Sequence, residues 1–217
     1  MKFTDIKDNK EIIRYIESAD KYLDEIGYTE HAFNHVYRCI NVVEYILQTL
    51  GYDEHLIELA KIAAYMHDIG NVVNRDDHAK TGALMAFRIL DKLNMPVEDI
   101  ALIVSAIGNH DESSAYPVSV ISSALIIADK TDVRRSRVRP NADQNDIHNR
   151  VNYAAIKSLV KINNDLKTLT LDLTIDTSIC PIIEYFEIFL SRMKLCQKAA
   201  SYFGLKFKLI INELELI

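Results

Sequence analysis

The chain has 217 residues, a formal net charge of −6 and 49% hydrophobic residues. This length suits one large domain, or one domain with a small addition, and the apolar content argues against extensive disorder. An acidic chain gives no support to stable nucleic-acid binding, which requires a basic surface. The N-terminal residues are charged, and no apolar run approaches the roughly 20 residues that span a bilayer. We therefore expect a cytoplasmic protein that does not bind membranes.

Glycine, proline and cysteine are all infrequent in this sequence. Six glycines and four prolines favour long regular elements over a loop-rich or all-β fold. The three cysteines, Cys39, Cys180 and Cys196, form no CxxC pair, which excludes a zinc ribbon or a thioredoxin-like motif. We expect them to be reduced thiols buried among hydrophobic side chains.

Apolar residues recur with helical spacing through most of the first 140 residues. Asp53 is a suitable N-cap for one of these segments, and Thr29 for another. The last segment, over about residues 118–132, is strongly apolar and should therefore be a buried central helix. The predicted helices cover about residues 9–25, 30–50, 53–67, 78–94, 96–110 and 118–132.

The pattern changes after Pro140, where a polar stretch and a short helix precede alternating segments. Residues 159–162 and 169–175 alternate with a period of two around an Asn-Asn-Asp turn, which predicts a β-hairpin. A helix over about 179–203 and a strand over 206–214 follow. The predicted fold is mainly α: a helical domain of residues 1–140, and a small α+β extension of residues 141–217 with antiparallel strands and one helix.

Histidine and aspartate residues stand at the ends of several predicted helices. His67 and Asp68 close one apolar helix, and Asp129 lies near the end of the most apolar one. Burial of a carboxylate there without a partner would cost roughly several kcal/mol of folding free energy. A bound metal ion would offset this cost by balancing the negative charge. Imidazole and carboxylate ligands suit iron, manganese, zinc or cobalt better than calcium or magnesium. The candidate ligands are His35, His67, Asp68, His78, His110 and Asp129.

The order His, His-Asp, His, His, Asp resembles that of the HD superfamily of metal-dependent phosphohydrolases. The stretch Ala64-Tyr65-Met66-His67-Asp68-Ile69-Gly70 is similar to the central motif of that family, and the resemblance covers about residues 30–135. It implies an HD-type helical bundle. Members that hydrolyse cyclic dinucleotides carry a His-His pair where this chain has Asn109-His110, and their glycine-tyrosine-proline signature is missing, which argues against a cyclic-di-GMP substrate.

The resemblance also implies a ligand set for two divalent transition-metal ions. His35, His67, Asp68 and Asp129 would bind the first ion, and His78 and His110 the second, with Asp68 as the bridge. Iron or manganese is favoured, with zinc, cobalt and nickel as alternatives. Two ions about 3.5–4 Å apart can bridge a hydroxide that attacks phosphorus, so Asp68 is predicted to be catalytic.

A basic run follows Asp129, with one lysine and four arginines in residues 130–139. Beside a metal site these cations would suit an anionic substrate. Lys130 is a predicted catalytic and substrate-binding residue, and the other predicted substrate-binding residues are Arg134, Arg135 and Arg137. The alternative is a solvated basic segment that pairs with Asp132 and Asp143.

Some further polar residues could serve either the site or the surface. His31 shares a helix face with His35 and could contact substrate, or it could lie at the surface. Asp111 and Glu112 could orient a ligand histidine or carry protons, or they could face water. Asp76 and Asp77 are candidate caps for the helix that begins at His78.

Three functions are compatible with this pattern. The first is a phosphohydrolase that acts on a small phosphorylated metabolite, with nucleotides favoured. The second is a di-iron oxygenase, because some members of the same superfamily use the same six ligands to activate dioxygen. The third is a metal-stabilised regulatory module without catalysis, in which the open strand edges of the C-terminal unit form a homodimer.

Overall fold

The computed structural model describes residues 1–217, and it is mainly helical, as predicted. The six predicted helices of the first 140 residues are present, and each differs from its predicted range by a few residues. Asp53 caps its helix through the Leu56 amide, at 3.0 Å. The helices are α1 (Phe3–Ile6), α2 (Lys10–Glu25), α3 (Phe33–Thr49), α4 (Glu54–Met66), α5 (His78–Lys92), α6 (Val97–Gly108), α7 (Val120–Lys130), α8 (Ile147–Ala154) and α9 (Ile182–Tyr202).

Two predicted caps are wrong. Helix α3 begins at Phe33, so Thr29 is too far upstream to cap it. Asp77 precedes α5 in a left-handed conformation and makes no side-chain cap; its carboxylate instead pairs with Lys80 at 2.7 Å. Helix α1 was not predicted because its four residues are shorter than any window in which helical periodicity can be recognised.

Helix α7 is the central helix of the bundle, as its composition predicts. The side chains of Leu125, Ile126 and Ile127 are fully buried. Helices α3, α4, α6 and α9 all pack against it. Because α7 has neighbours on every side, a polar group at its end is held among the surrounding helices rather than exposed to water.

The C-terminal unit is a four-stranded sheet with α9 packed against it. Its strands are β1 (Ala155–Asn163), β2 (Thr168–Ile175), β3 (Lys206–Ile211) and β4 (Leu214–Glu215), in that spatial order. β1 and β2 form the predicted antiparallel hairpin, and β3 and β4 are also antiparallel. β2 and β3 are parallel, contrary to the all-antiparallel prediction. The reason is that α9 connects them, and a helical crossover returns the chain in the same direction.

The outer edge of β1 lies along α3 rather than open to another chain. Arg38 donates a hydrogen bond to the Ser158 carbonyl at 2.6 Å, and the Ile162 amide donates one to the Tyr45 hydroxyl at 3.0 Å. Backbone groups that are already bonded are poor templates for a new strand. This edge is therefore less open to pairing with a second chain than the sequence suggests.

One apolar core runs through both predicted units. Leu125 of α7 and Phe189 of α9 belong to the same buried cluster. This shared core does not test the predicted division of the chain into two domains at residue 140, which stays a prediction. None of the helices has the length and apolar character needed to cross a membrane.

Candidate metal centre

The six predicted ligands meet at one point in the helical bundle. His35 lies in the first half of α3, His78 opens α5, and Asp129 is the penultimate residue of α7. His67 and Asp68 follow the end of α4 directly. His110 comes just after α6. The four imidazoles are between 0% and 1% exposed, so they project into the protein interior and not into solvent.

The Nδ1 atom of each of these histidines is hydrogen bonded to an acceptor. His67 donates to the Ala64 carbonyl at 2.8 Å, His78 to the Arg75 carbonyl at 2.9 Å, and His110 to the Ile107 carbonyl at 2.6 Å. A carbonyl oxygen can only accept, so Nδ1 carries the proton in each ring. When such a ring is neutral, its Nε2 lone pair is free to act as a ligand.

The Nε2 atoms face one another in two pairs. The His35 and His67 Nε2 atoms are 3.2 Å apart, and the His78 and His110 Nε2 atoms are also 3.2 Å apart. Two lone pairs at this distance repel each other unless a cation lies with them. That cation is either a proton, which makes one ring an imidazolium, or a metal ion.

Asp68 lies between the two pairs and directs one oxygen toward each. Its Oδ2 is 3.3 Å from His67 Nε2 and 3.7 Å from His35 Nε2. Its Oδ1 is 3.5 Å from His78 Nε2 and 3.8 Å from His110 Nε2. Asp129 contributes only to the first pair, with Oδ1 3.3 Å from His35 Nε2.

The electrostatics of this cluster favour a bound cation. Burial raises the pKa of Asp68, but His67 and His110 outweigh this effect and hold the pKa well below its usual range. Burial opposes the charged form of His67, yet the Asp68 and Asp129 carboxylates raise its pKa. In the second pair, burial lowers the pKa of His78 to about 4, which keeps that ring neutral. Ionised carboxylates and neutral imidazoles are the forms that bind divalent transition metals.

The donor atoms are also close enough to share an ion. Ligand atoms of His35, His67 and Asp129 lie within 4.8 Å of one another, as do those of His67, Asp68 and His110. Nitrogen and oxygen donors of this kind suit a divalent transition metal.

Two residues of the site were not identified from the sequence. Cys39, one helical turn after His35, has its Sγ 3.7 Å from His35 Nε2; the i, i+4 spacing is the only sequence signal for it. Burial and the Asp129 and Asp132 carboxylates raise the pKa of this thiol. Asp132 accepts the His35 Nδ1 proton at 2.8 Å and is fully buried. The sequence indicates Asp132 only as a partner for the basic run.

Asp132 should contribute to metal affinity because it orients His35. Substitution of Asp132 with Asn removes the negative charge next to Nδ1 of His35. We expect metal affinity to fall about 10–100-fold, as for other hydrogen-bond partners of ligand histidines. Metal affinity is measured by competition with a chromophoric chelator, with folding checked by circular dichroism. Asp143→Asn, in the polar loop before α8, is the control. Unchanged affinity in a folded Asp132→Asn protein would refute the orienting role.

Three of the cations predicted to bind substrate are occupied by protein groups. Lys130 is buried, with Nζ 2.5 Å from Glu112 Oε2 and 2.7 Å from Asp129 Oδ2. Arg134 pairs with Asp132, as the alternative interpretation of the basic run holds. Arg135 donates to the Tyr153 carbonyl at 2.6 Å. These contacts favour a positioning role for Lys130, and the substrate-binding roles stay predictions.

Glu112, His31 and Asp111, which could serve either the site or the surface, all lie close to the metal-ligand cluster. Glu112 joins Lys130 to Arg192, whose Nε donates to Oε1 at 3.0 Å. The His31 ring centroid is 5.5 Å from that of His35. Asp111 Oδ2 lies 3.4 Å from His78 Nδ1, where it can help orient that ring.

A polar pocket of about 420 Å³ opens next to these residues. His31, Arg75 and Glu112 all line it. Arg75 has its Nη1 3.4 Å from His78 Nε2, and Glu112 reaches Asp129 through Lys130. Three lining residues therefore connect the pocket to the metal-ligand cluster. The other side of the pocket is formed by the C-terminal unit, through Phe189 and Arg192.

Comparison with family models agrees with the ordered motif. The family model of the HD domain matches residues 32–137. Among solved structures, a predicted HD superfamily hydrolase from an uncultured Thermotogales bacterium is 25% identical, with a TM-score of 0.47, over 62% of this chain and 75% of that one. No curated protein matches the sequence significantly. Residues 32–137 of this chain form an HD domain.

Proposed function

We propose that this protein is a metal-dependent phosphohydrolase that acts on a small phosphorylated metabolite, with nucleotides as the first class to test. The observation that carries the proposal is the position of Asp68 between two facing imidazole pairs. One carboxylate with an oxygen toward each pair is suited to bridging two divalent cations. We expect iron or manganese, with zinc, cobalt or nickel as alternatives.

Divalent cations bound in such a cluster lower the pKa of a coordinated water and polarise a phosphoryl group. The chain's own residues would hold the arrangement in place. His67, His78 and His110 are oriented by carbonyl groups, so their ligand atoms cannot rotate away without losing a hydrogen bond. Lys130, between Glu112 and Asp129, fixes the Asp129 carboxylate toward His35.

The pocket supplies the environment that a phosphorylated substrate requires. Arg75, Arg137 and Arg192 line it, against the carboxylates of Glu112 and Asp146. Glu112 is already paired with Lys130 and Arg192. The remaining positive charge favours an anionic ligand of small size.

The test is phosphate release from a panel of nucleotides and phosphomonoesters. The full chain is purified and assayed under anaerobic conditions with manganese or iron, and His67→Ala is the control. Release that depends on metal and disappears in the control supports the proposal. If a metal-loaded protein releases no phosphate from any compound and instead consumes oxygen, the protein is the oxygenase that the same ligand set permits. No release and no oxygen uptake would leave the metal-stabilised regulatory module.

A further inference from the structure

We infer that Arg137 anchors an oxyanion subsite in the pocket, distinct from the metal cluster. The substrate would then carry an anionic group besides the phosphoryl group that reacts. This inference rests on the proposed function for the identity of the reacting group, and on the pocket alone for the existence of the subsite.

Arg137 is a buried guanidinium with one unpaired nitrogen. Its side chain is 4% exposed, and it lines the pocket. Nε donates to the Glu30 carbonyl at 3.0 Å, and Nη1 donates to the Asp132 carbonyl at 2.9 Å. Nη2 is buried and has no partner in the protein. A buried donor without a partner costs free energy, which an acceptor in the pocket would recover.

The charge of Arg137 is only partly balanced by the protein. Its nearest carboxylate oxygen, Asp132 Oδ2, is 3.8 Å from Nε, beyond hydrogen-bond distance. The same carboxylate already accepts from His35 and pairs with Arg134. Because two backbone carbonyl groups hold the guanidinium still, it is preorganised for a ligand and loses little side-chain entropy on binding.

Two neighbours in the pocket complement Arg137. Arg192 pairs with Glu112 through Nε, so its two terminal nitrogens are not needed for that ion pair. Its guanidinium group stacks on Phe189, with the guanidinium carbon 4.6 Å from the ring centroid. His31 donates its Nδ1 proton to the Thr29 carbonyl at 2.6 Å, which leaves Nε2 as an acceptor. An oxyanion with a neighbouring hydroxyl group would satisfy all three side chains.

Binding of inorganic phosphate to the full chain in the presence of a chelator tests the subsite without the metal cluster. Thermal unfolding is followed while chloride is replaced by phosphate or by acetate at constant ionic strength. A specific site gives a saturable rise in Tm. Arg137→Gln should weaken binding about 10-fold or more, the scale of one charge-assisted hydrogen bond. A rise with phosphate alone identifies a phosphoryl group, and a rise with acetate also admits a carboxylate.

Arg139→Gln is the matched control. Arg139 also donates to backbone carbonyl groups, those of Tyr28 and Asp20, but it does not line this pocket. If Arg137→Gln fails to fold, Arg137→Lys keeps the charge without Nη2, and Arg192→Gln removes a neighbouring guanidinium; each should weaken binding at least about 3-fold. Equal phosphate dependence in wild type, the Arg137 variant and the Arg192 variant would overturn the subsite. Because the chelated protein cannot turn over, this result is independent of whether phosphate release is found.

Discussion

Substitution of Asp68 with Asn is expected to abolish turnover and the binding of both metal ions. Asp68 is the only residue with an oxygen toward each imidazole pair, within 3.3 Å of His67 and 3.5 Å of His78. Asparagine keeps the shape and can still accept the hydrogen bond from Asn71. It removes the negative charge, so we expect a fall in metal affinity of more than about 100-fold and in turnover of about three orders of magnitude.

The measurements are metal content by elemental analysis and the phosphate-release assay. Asp99→Asn is a matched control, because Asp99 is a buried carboxylate that pairs with His55 away from the cluster. His78→Ala affects only one imidazole pair and should therefore retain one ion of two. An Asp68→Asn protein that still binds two ions would rule out the bridging role, and two ions in His78→Ala would rule out the second pair as a ligand set.

Substitution of Gly70 with Ala is expected to destabilise the protein severely. A Cβ atom on Gly70 would lie 2.0 Å from the His78 carbonyl oxygen and 2.5 Å from the Gly82 amide nitrogen. Both are backbone atoms of α5 and cannot rotate away, so the helix must shift. We expect a loss of about 3 kcal/mol or more in the free energy of unfolding, at the upper end of the cost of overpacking. For a chain of this size Tm should fall by about 6–12 °C.

Urea unfolding of Gly70→Ala against two other glycine variants isolates this effect. A Cβ on Gly82 would lie 3.2 Å from the His67 carbonyl oxygen, so Gly82→Ala should be intermediate. A Cβ on Gly108 would meet Ala83 at an ordinary 3.7 Å, so Gly108→Ala should be neutral or stabilising by up to about 1 kcal/mol. If the free energy of unfolding of Gly70→Ala lies within about 1 kcal/mol of the wild-type value, the tight contact between Gly70 and α5 is wrong.

The helices were predictable because their signal is local. The apolar periodicity of α2 to α7, and the Asp53 cap, depend on residues close in sequence. The parallel pairing of β2 with β3 was not predictable in the same way, since alternation specifies a strand but not its neighbour. The short α1 depends on a distant partner: Phe3 packs edge-on against Tyr65, with ring centroids 5.3 Å apart.

The candidate ligands were found from their order in the sequence, whereas their supporting residues were not. His35 and Asp132 are 97 positions apart, and no spacing rule connects them. The carbonyl groups that orient the histidines carry no sequence signal, because every residue has one. The basic run after Asp129 was visible, but its use in ion pairs depends on which carboxylates the fold brings near.

A row of alternating charges runs from Asp129 through Lys130 and Glu112 to Arg192, and it constrains the sequence of the C-terminal unit. Its last member lies on α9, outside the HD domain. An exchange of the C-terminal unit for one from another protein would leave Glu112 with one cation instead of two, and would remove a wall of the pocket. The extension is therefore not an interchangeable attachment, and its sequence should change in step with that of the loop carrying Glu112.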